Sequence, residues 1–425
     1  MSVASVGGVL AVGGVPLDRA FAALRRVEPD ASACYVYDLD DVAARARRFQ
    51  DAFAALHPLC AYALKANALP ALLARVRSVG FGAEAGSLGE LELAQQAGFS
   101  PERMVLNGNG RTAGEAAWAC RARLHSVNAD HVDELDLLEQ AAAAAGGAPL
   151  RVALRVNPGI ATPGHHYVAT GHEEAKFGVS AEQALDAWGK RCRWPHLQLD
   201  GLHVHVGSQL LEPAPLERAL SVALGLIEAA GRRRVPLRLL NLGGGFGVGY
   251  DDARREFPIE SHAARLVRRV AGLELDWVFE PGRWLVAPAG VLIAEVLWVK
   301  RRDGRRFVVL GAGMNDFLRP ALYHARHRLV PIGPRPGALE PAVVVGPVCE
   351  SADVFDREAL LPPVERGDLI AVLDAGAYGA SMASNYNGRG RLPELAVSSG
   401  TLTRVRAGER GADLGARATE DPLEA

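Results

Sequence analysis

The sequence predicts an α/β chain, a (β/α)8 barrel followed by an all-β domain, and three observations carry that expectation. From residue 60 to about 283, short β-rich runs ending in small or polar residues alternate with amphipathic helical stretches. Eight such runs occur there. After Arg283 the alternation stops, and strands separated by Gly- and Pro-rich turns take over. Eight strand–helix units closing on themselves make a barrel of the TIM type. An open doubly wound sheet is the rival, but eight units in roughly 220 residues fit the closed form better.

The elements follow in order. The segment 1–38, with strand-like Cys34–Tyr37, precedes the barrel and is expected to complete the β domain. The barrel is expected over 39–285. Its runs are Cys60–Asn67, Gly80–Gly86, Met104–Gly108, Leu124–Ala129, Leu150–Pro158, Leu199–Gly207, Leu237–Gly245 and Leu275–Arg283. Between them lie helical patterns such as Ser87–Ala97, Thr112–Arg123, Asp130–Ala145, Ala181–Cys192 and Pro215–Arg232. In Asp130–Ala145, Val132, Leu135 and Leu138 recur at helical spacing with acids on the other face. The β domain, a barrel or sandwich, is expected over 286–408, with strands at Val286–Arg301, Arg306–Leu310, Ala342–Val345, Asp368–Leu373 and Leu402–Val405. Residues 409–425, charged and small, are expected to fray.

At 425 residues the chain exceeds the usual single-domain limit. Its 49% hydrophobic and 23% charged residues describe an ordinary globular protein. A net charge of −2 gives no field for nucleic acid or an anionic membrane, so neither is an expected partner. No unbroken apolar run reaches membrane-span length, and the first residues lack a basic signal-peptide region. Five cysteines, an odd number with no CxxC pair, argue for reduced thiols in the cytoplasm. His203-x-His205 has metal-like spacing, but no carboxylate or third histidine stands beside it in sequence, so no metal is expected.

Chemistry in a barrel collects at the C-terminal ends of the strands. Here those ends carry Lys65 and Asn67, Glu84 and Ser87, Asn107 and Asn109, Asn128, Arg155 and Asn157, His203, His205 and Ser208, Gly243–Gly247, and Glu280 with Arg283. Lys65 ends the first run, where its amine either snorkels to water or forms a Schiff base in a cofactor pocket. The glycines after the seventh run offer backbone N–H groups to a phosphate. Together with an acid on the eighth run, these suggest pyridoxal 5'-phosphate: phosphate on Gly244 and Gly245, the aldehyde on Lys65, the ring nitrogen on Glu280, and His205 stacked on the ring face.

The same residues carry a resemblance. Tyr62-Ala-Leu-Lys-Ala-Asn67, Gly201-Leu-His-Val-His-Val-Gly-Ser-Gln209, Gly243-Gly-Gly-Phe-Gly247 and Glu280-Pro-Gly-Arg283 resemble the motifs of the barrel-type pyridoxal-phosphate decarboxylases. Gly313–Tyr323, Gly346–Ser351, Asp374–Gly379 and Thr170–Gly178 resemble the diaminopimelate decarboxylases in particular, and the likeness spans about residues 12 to 405. It implies catalytic roles for Lys65, Cys349, Glu280 and His205. It implies cofactor contacts from Lys65, His205, Ser208, Gly244, Gly245, Glu280, Gly282, Arg283 and Tyr378. It implies a two-ended amino-acid substrate, meso-diaminopimelate, held by Arg283, Arg319, Tyr323, Glu350 and Tyr378, Arg being suited to a carboxylate by its planar fork. It further implies lysine biosynthesis and a homodimer with shared sites, in which Cys349 and Glu350 serve the neighbouring subunit and Cys349 returns a proton to the substrate carbon. The chain departs from the family pattern at Leu88, Gly311 and Glu84, where Gly, Asp and Asp are usual. The rival functions are a decarboxylase of another basic amino acid or a carboxylated polyamine, an amino-acid racemase, and a non-catalytic pyridoxal-phosphate-binding regulator. Arg319 and Glu350 count against the first. Glu280 as a ring-nitrogen acid counts against the second, and the two-ended pocket against the third.

Overall fold

The structure, a computed structural model, describes residues 3–160, 176–251 and 255–416. The Thr170–Gly178 motif therefore lies outside the described residues except for Lys176, Phe177 and Gly178. The chain divides into two compact units, one gathering Met1–Asp41, Tyr250–Ala253 and Val286–Ala425, the other Val42–Gly249 and Arg254–Leu285.

The second unit is a closed barrel of eight parallel strands: Leu59–Ala63, Gly82–Ala85, Met104–Leu106, Ser126–Ala129, Leu150–Arg155, Leu197–His203, Leu239–Asn241 and Asp276–Phe279. The eighth closes onto the first, with Val278 opposite Leu59 and Phe279 opposite Cys60. Leu59, Ala61, Val105, Ala153, Leu239 and Val278, from the first, third, fifth, seventh and eighth strands, form one buried apolar cluster. Each expected run contains a strand, but the strands are shorter. Except in the fourth, where Ala129 stays paired with Leu154, their last expected residues have left the ladder to form the loops that carry chemistry. Lys65 in particular sits not on the strand but in a 3-10 turn, Leu64–Ala66, just beyond it. Helices start where the sequence signals a cap. Ser87 accepts from the Glu90 N–H, and Thr112 with Glu115 forms a capping box.

The first unit holds one branched nine-stranded sheet, ordered Val354–Leu361, Glu340–Val345, Arg305–Leu310, Gly290–Arg302, Ala33–Asp38, Glu394–Ser398 and Thr401–Arg406. Leu369–Val372 branches off the long strand Gly290–Arg302 and pairs in turn with Leu329–Pro331. The strand expected from Val286 begins later, because 283–289 coils into short helical turns. Ala33–Asp38 lies inside this sheet, antiparallel to Gly290–Ala294 and parallel to Glu394–Val397. Its apolar face joins Leu17, Phe21 and Leu24 of the helix Leu17–Arg25 in one core with Val291, Ile293, Ala371 and Leu395. A three-stranded sheet, Val3–Val6, Val9–Val12 and Val15–Pro16, precedes that helix. Gly411–Gly415 forms a short helical turn, and the Glu409 carboxylate accepts from the Asn385 side chain at 2.9 Å and the Arg391 N–H at 3.0 Å.

At Gly311 a Cβ would lie 2.5 Å from the Ser32 carbonyl oxygen. A side chain there would require the Ser32 backbone to shift.

Candidate active site

The barrel places a linked set of polar side chains at its C-terminal end. Lys65 is fixed by its turn. The Tyr62 hydroxyl donates to the Asn67 carbonyl at 2.9 Å, and the Asn67 side chain accepts from the Leu69 N–H at 3.0 Å. The lysine amine reaches the buried Glu84 carboxylate at 2.9 Å while half of its own side chain stays exposed. Glu84, the second departure, is thus the lysine's counter-charge. The third, Leu88, opens a helix and donates its N–H to Glu115 at 3.1 Å.

Glu280 follows the eighth strand rather than lying on it, and is buried. Its Oε1 accepts from Asn241 at 2.7 Å, Asn107 at 3.0 Å and Asn128 at 3.3 Å. Its Oε2 lies 3.7 Å from His203 Nε2. Burial, and next the Glu84 charge, push its pKa upward. Burial, then the Arg155 charge, hold both His203 and His205 neutral. The Gly244 N–H donates to His205 Nδ1 at 3.2 Å, so the proton of that neutral ring sits on Nε2. Arg155 is itself packed over Phe177 at 4.4 Å and lies 3.4 Å from Asp130.

The glycine loop is built flush against this set. A Cβ on Gly243 would come within 2.6 Å of His205 Nδ1, one on Gly244 would strike the Glu280 carbonyl, and one on Gly245 would meet the Gly207 carbonyl at 2.7 Å. Gly243 and Gly245 also have positive φ, 62° and 102°. A Cβ on Gly282 would lie 3.1 Å from the Cβ atoms of Ala63 and Ala66, so the Glu280 turn comes close against the Lys65 turn, and the Ala63 N–H donates to the Pro281 carbonyl at 3.1 Å. Arg283 donates to Ser208 Oγ at 3.0 Å. A reactive amine, a buried carboxylate, a neutral imidazole and a glycine cradle with an Arg–Ser pair beside it form a donor set that fits pyridoxal 5'-phosphate, which needs an aldehyde partner, a ring-nitrogen partner, a stacking face and an anion site.

The remaining expected residues lie in the β unit. Arg319 opens the short helix Arg319–Tyr323 and is buried, its guanidinium over Tyr250 at 4.8 Å and Tyr323 at 6.0 Å. Its Nε donates to His327 Nε2 at 3.1 Å, and His327 Nδ1 lies 2.8 Å from the Leu373 carbonyl. Leu373 leads into Asp374–Tyr378, where both Asp374 and Tyr378 have φ of 56°. A left-handed tyrosine is strained backbone of the kind that marks functional loops. Cys349 and Glu350 are exposed. Their loop is pinned by Asp353, which accepts from Val348 N–H and Met314 N–H at 2.7 Å each. Asn241, His327 and Asp353 belong to these networks without having stood out in the sequence. Asn241 was findable as a polar residue ending a barrel strand, masked by the glycine run after it.

Over residues 39–287 the chain matches the family described as pyridoxal-dependent decarboxylase, pyridoxal binding domain. A diaminopimelate decarboxylase of Zymomonas mobilis is 39% identical over 385 residues, covering 90% of this chain and 91% of the relative. One from Helicobacter pylori strain J99 is 38% identical over 383 residues, covering 89% and 94%. The crystal structure of diaminopimelate decarboxylase from Helicobacter pylori complexed with L-lysine matches with a TM-score of 0.87 at 36% identity, over 92% of this chain and 98% of that one. Fold, barrel-end chemistry and relatives agree along nearly the whole sequence: the chain belongs to the pyridoxal-dependent decarboxylases, in the group of the diaminopimelate decarboxylases.

Proposed function

We propose that this chain converts meso-2,6-diaminopimelate to L-lysine and CO2 with pyridoxal 5'-phosphate as cofactor. The observation that carries the reading is the Lys65–Glu84 pair standing beside buried Glu280 at the mouth of a barrel whose relatives are diaminopimelate decarboxylases, one of them solved with L-lysine bound. When bound, the cofactor supplies an electron sink for the pair left on the α-carbon as the carbon–carboxylate bond breaks. Lys65 would hold it through the amine. Gly244, Gly245, Ser208 and Arg283 would take its phosphate, His205 would stand against the ring, and Glu280 would partner the ring nitrogen. Gly282 lets the Lys65 and Glu280 turns close on one another. Arg319, Tyr323, Glu350 and Tyr378, with Arg283, hold the far amino-acid end of the substrate, and Cys349 delivers the proton that replaces CO2. Support for a homodimer with shared sites lies in the exposure of Cys349 and Glu350 on a loop that Asp353 makes rigid. The enzyme works in the cytoplasm, on a small amino acid rather than on nucleic acid or membrane. Among the described residues no helix is long and apolar enough to cross a membrane.

The test is CO2 release by purified protein with pyridoxal 5'-phosphate, comparing diaminopimelate isomers with ornithine, arginine and lysine. The meso isomer is expected to be turned over fastest. Faster release from ornithine or arginine would sink the substrate assignment, and α-centre scrambling without CO2 would make the chain a racemase. Lys65→Ala is expected to lose the visible cofactor band together with activity. Mixing inactive Lys65→Ala and Cys349→Ala proteins is expected to restore about a quarter of the activity through hybrid dimers with one intact site. No recovery after subunit exchange would mean the sites are not shared.

A further inference from the structure

Glu280 is a buried carboxylate with no cation in hydrogen-bond contact among the described residues. The titratable groups that act on it are Glu84, an acid, His203, neutral at 3.7 Å, and the charged Lys65 and Arg155. Burial and Glu84 both favour its protonated form. A protonated Glu280 cannot hold a proton on a ring nitrogen, so something must favour the anion. The Lys65 charge favours the anion, and beside it hydrogen bonds come from three neutral amides at the ends of three different strands: Asn107 after the third, Asn128 on the fourth and Asn241 on the seventh.

Their orientation is dictated by second bonds. Asn128 Nδ2 also donates to Asn107 Oδ1 at 2.6 Å, which turns the Asn107 amide nitrogen toward the carboxylates. That nitrogen donates to Glu280 Oε1 at 3.0 Å and to Glu84 Oε1 at 2.8 Å, bridging the two acids. Asn241 Oδ1 accepts from the Gly243 N–H at 2.8 Å, which turns its nitrogen toward Glu280 and ties the acid to the glycine loop. The Asn128 backbone is held in turn, its carbonyl accepting from buried Arg111 at 3.1 Å, with Arg111 paired to Glu134 at 2.9 Å. Amides donate hydrogen bonds but give up no proton at neutral pH. They stabilise a carboxylate without cancelling its charge, as a lysine or arginine there would.

We propose that Asn107, Asn128 and Asn241 are positioning residues that keep Glu280 as an anion, occupying Oε1 so that Oε2 serves the cofactor ring nitrogen, and that Asn107 links this acid to the Lys65–Glu84 pair. The inference rests on the reading of Glu280 as the ring-nitrogen partner. Replacing a donor raises the proton affinity of Glu280, so the acid limb of kcat moves to higher pH.

The test uses holoenzyme of wild type, Asn107→Leu, Asn128→Leu and Glu280→Gln. Two quantities are followed: the pH titration of the bound-cofactor absorbance without substrate, and kcat and KM against pH. Asn107→Leu is expected to move the acid limb and the spectral midpoint by about one pH unit, with kcat near neutrality down roughly tenfold and KM little changed. Asn128→Leu, a weaker donor to Glu280, is expected to move both less, and Glu280→Gln to lack that limb. If both leucine variants keep the wild-type spectral midpoint and acid limb, the triad is merely structural, even if their melting temperatures fall. If Asn107→Leu does not fold, Asn128→Leu carries the same decision. A wild type that shows no cofactor band, or a Glu280→Gln protein with an unchanged spectrum, overturns the underlying reading instead; a response to Glu280→Gln with none to the asparagine changes overturns only the triad.

Discussion

Cys349 and Arg319 answer different questions about the same substrate, and single substitutions separate them. Arg319 is buried, stacked on two tyrosines and aimed by His327. Truncating a hydrogen-bonded buried charge costs about 2–5 kcal/mol. Arg319→Ala is therefore expected to raise KM for meso-diaminopimelate by roughly 30-fold to a few thousand-fold, with the cofactor spectrum unchanged. On its proposed role as proton donor, Cys349→Ala is expected to lower kcat by about 10²–10⁴-fold with KM nearly constant. Steady-state kinetics on both variants check the split, and an unchanged kcat in Cys349→Ala would assign the proton to water. At this scale much was legible in the sequence. Lys65, Glu280 and the glycine loop declare themselves by chemistry and by position at a strand end. Asn241 did not, because an asparagine before glycines reads as ordinary turn chemistry. His327 did not either, because its role depends on a neighbour eight residues away and a backbone carbonyl distant in sequence.

The glycine loop after the seventh strand shows what an element demands. Gly244 has no room for a methyl group, since the Glu280 carbonyl fills that space. Gly244→Ala is expected to destabilise the protein by about 1–3 kcal/mol and to weaken cofactor binding, measured by melting and equilibrium dialysis. An alanine variant with native affinity would mean the loop can shift freely. The barrel elements were legible because buried parallel strands are short apolar runs and their helices are capped by recognisable residues. The strand Val354–Leu361 was not, because Asp356, Arg357 and Glu358 interrupt it at the edge of the sheet. The hairpins at the N-terminus were readable in principle. Gly7-Gly8 and Gly13-Gly14, all with positive φ, are the two-residue turns that join short valine-rich strands.

For the whole molecule, Glu280 sets a pH dependence. In the cofactor-free protein its pKa is raised from the ordinary 4.5 to about 7. Between those values the unfolded chain has released a proton that the folded chain still holds. Stability from this group is thus present at low pH and lost as pH climbs through that window. Glu280→Gln removes the dependence, so its melting temperature relative to wild type is expected to rise from pH 4.5 toward pH 7. A pH-independent difference would show that the carboxyl does not titrate there.

The place of Ala33–Asp38 inside the nine-stranded sheet sets a timetable for synthesis. Its partners, Gly290–Ala294 and Glu394–Val397, leave the ribosome after more than 250 further residues, a wait of tens of seconds at about 5–20 residues per second. The barrel segment emerges in that interval, while both edges of this apolar strand stay unpaired and open to association with other nascent chains. Slowing translation after residue 285 is expected to increase aggregation and chaperone dependence.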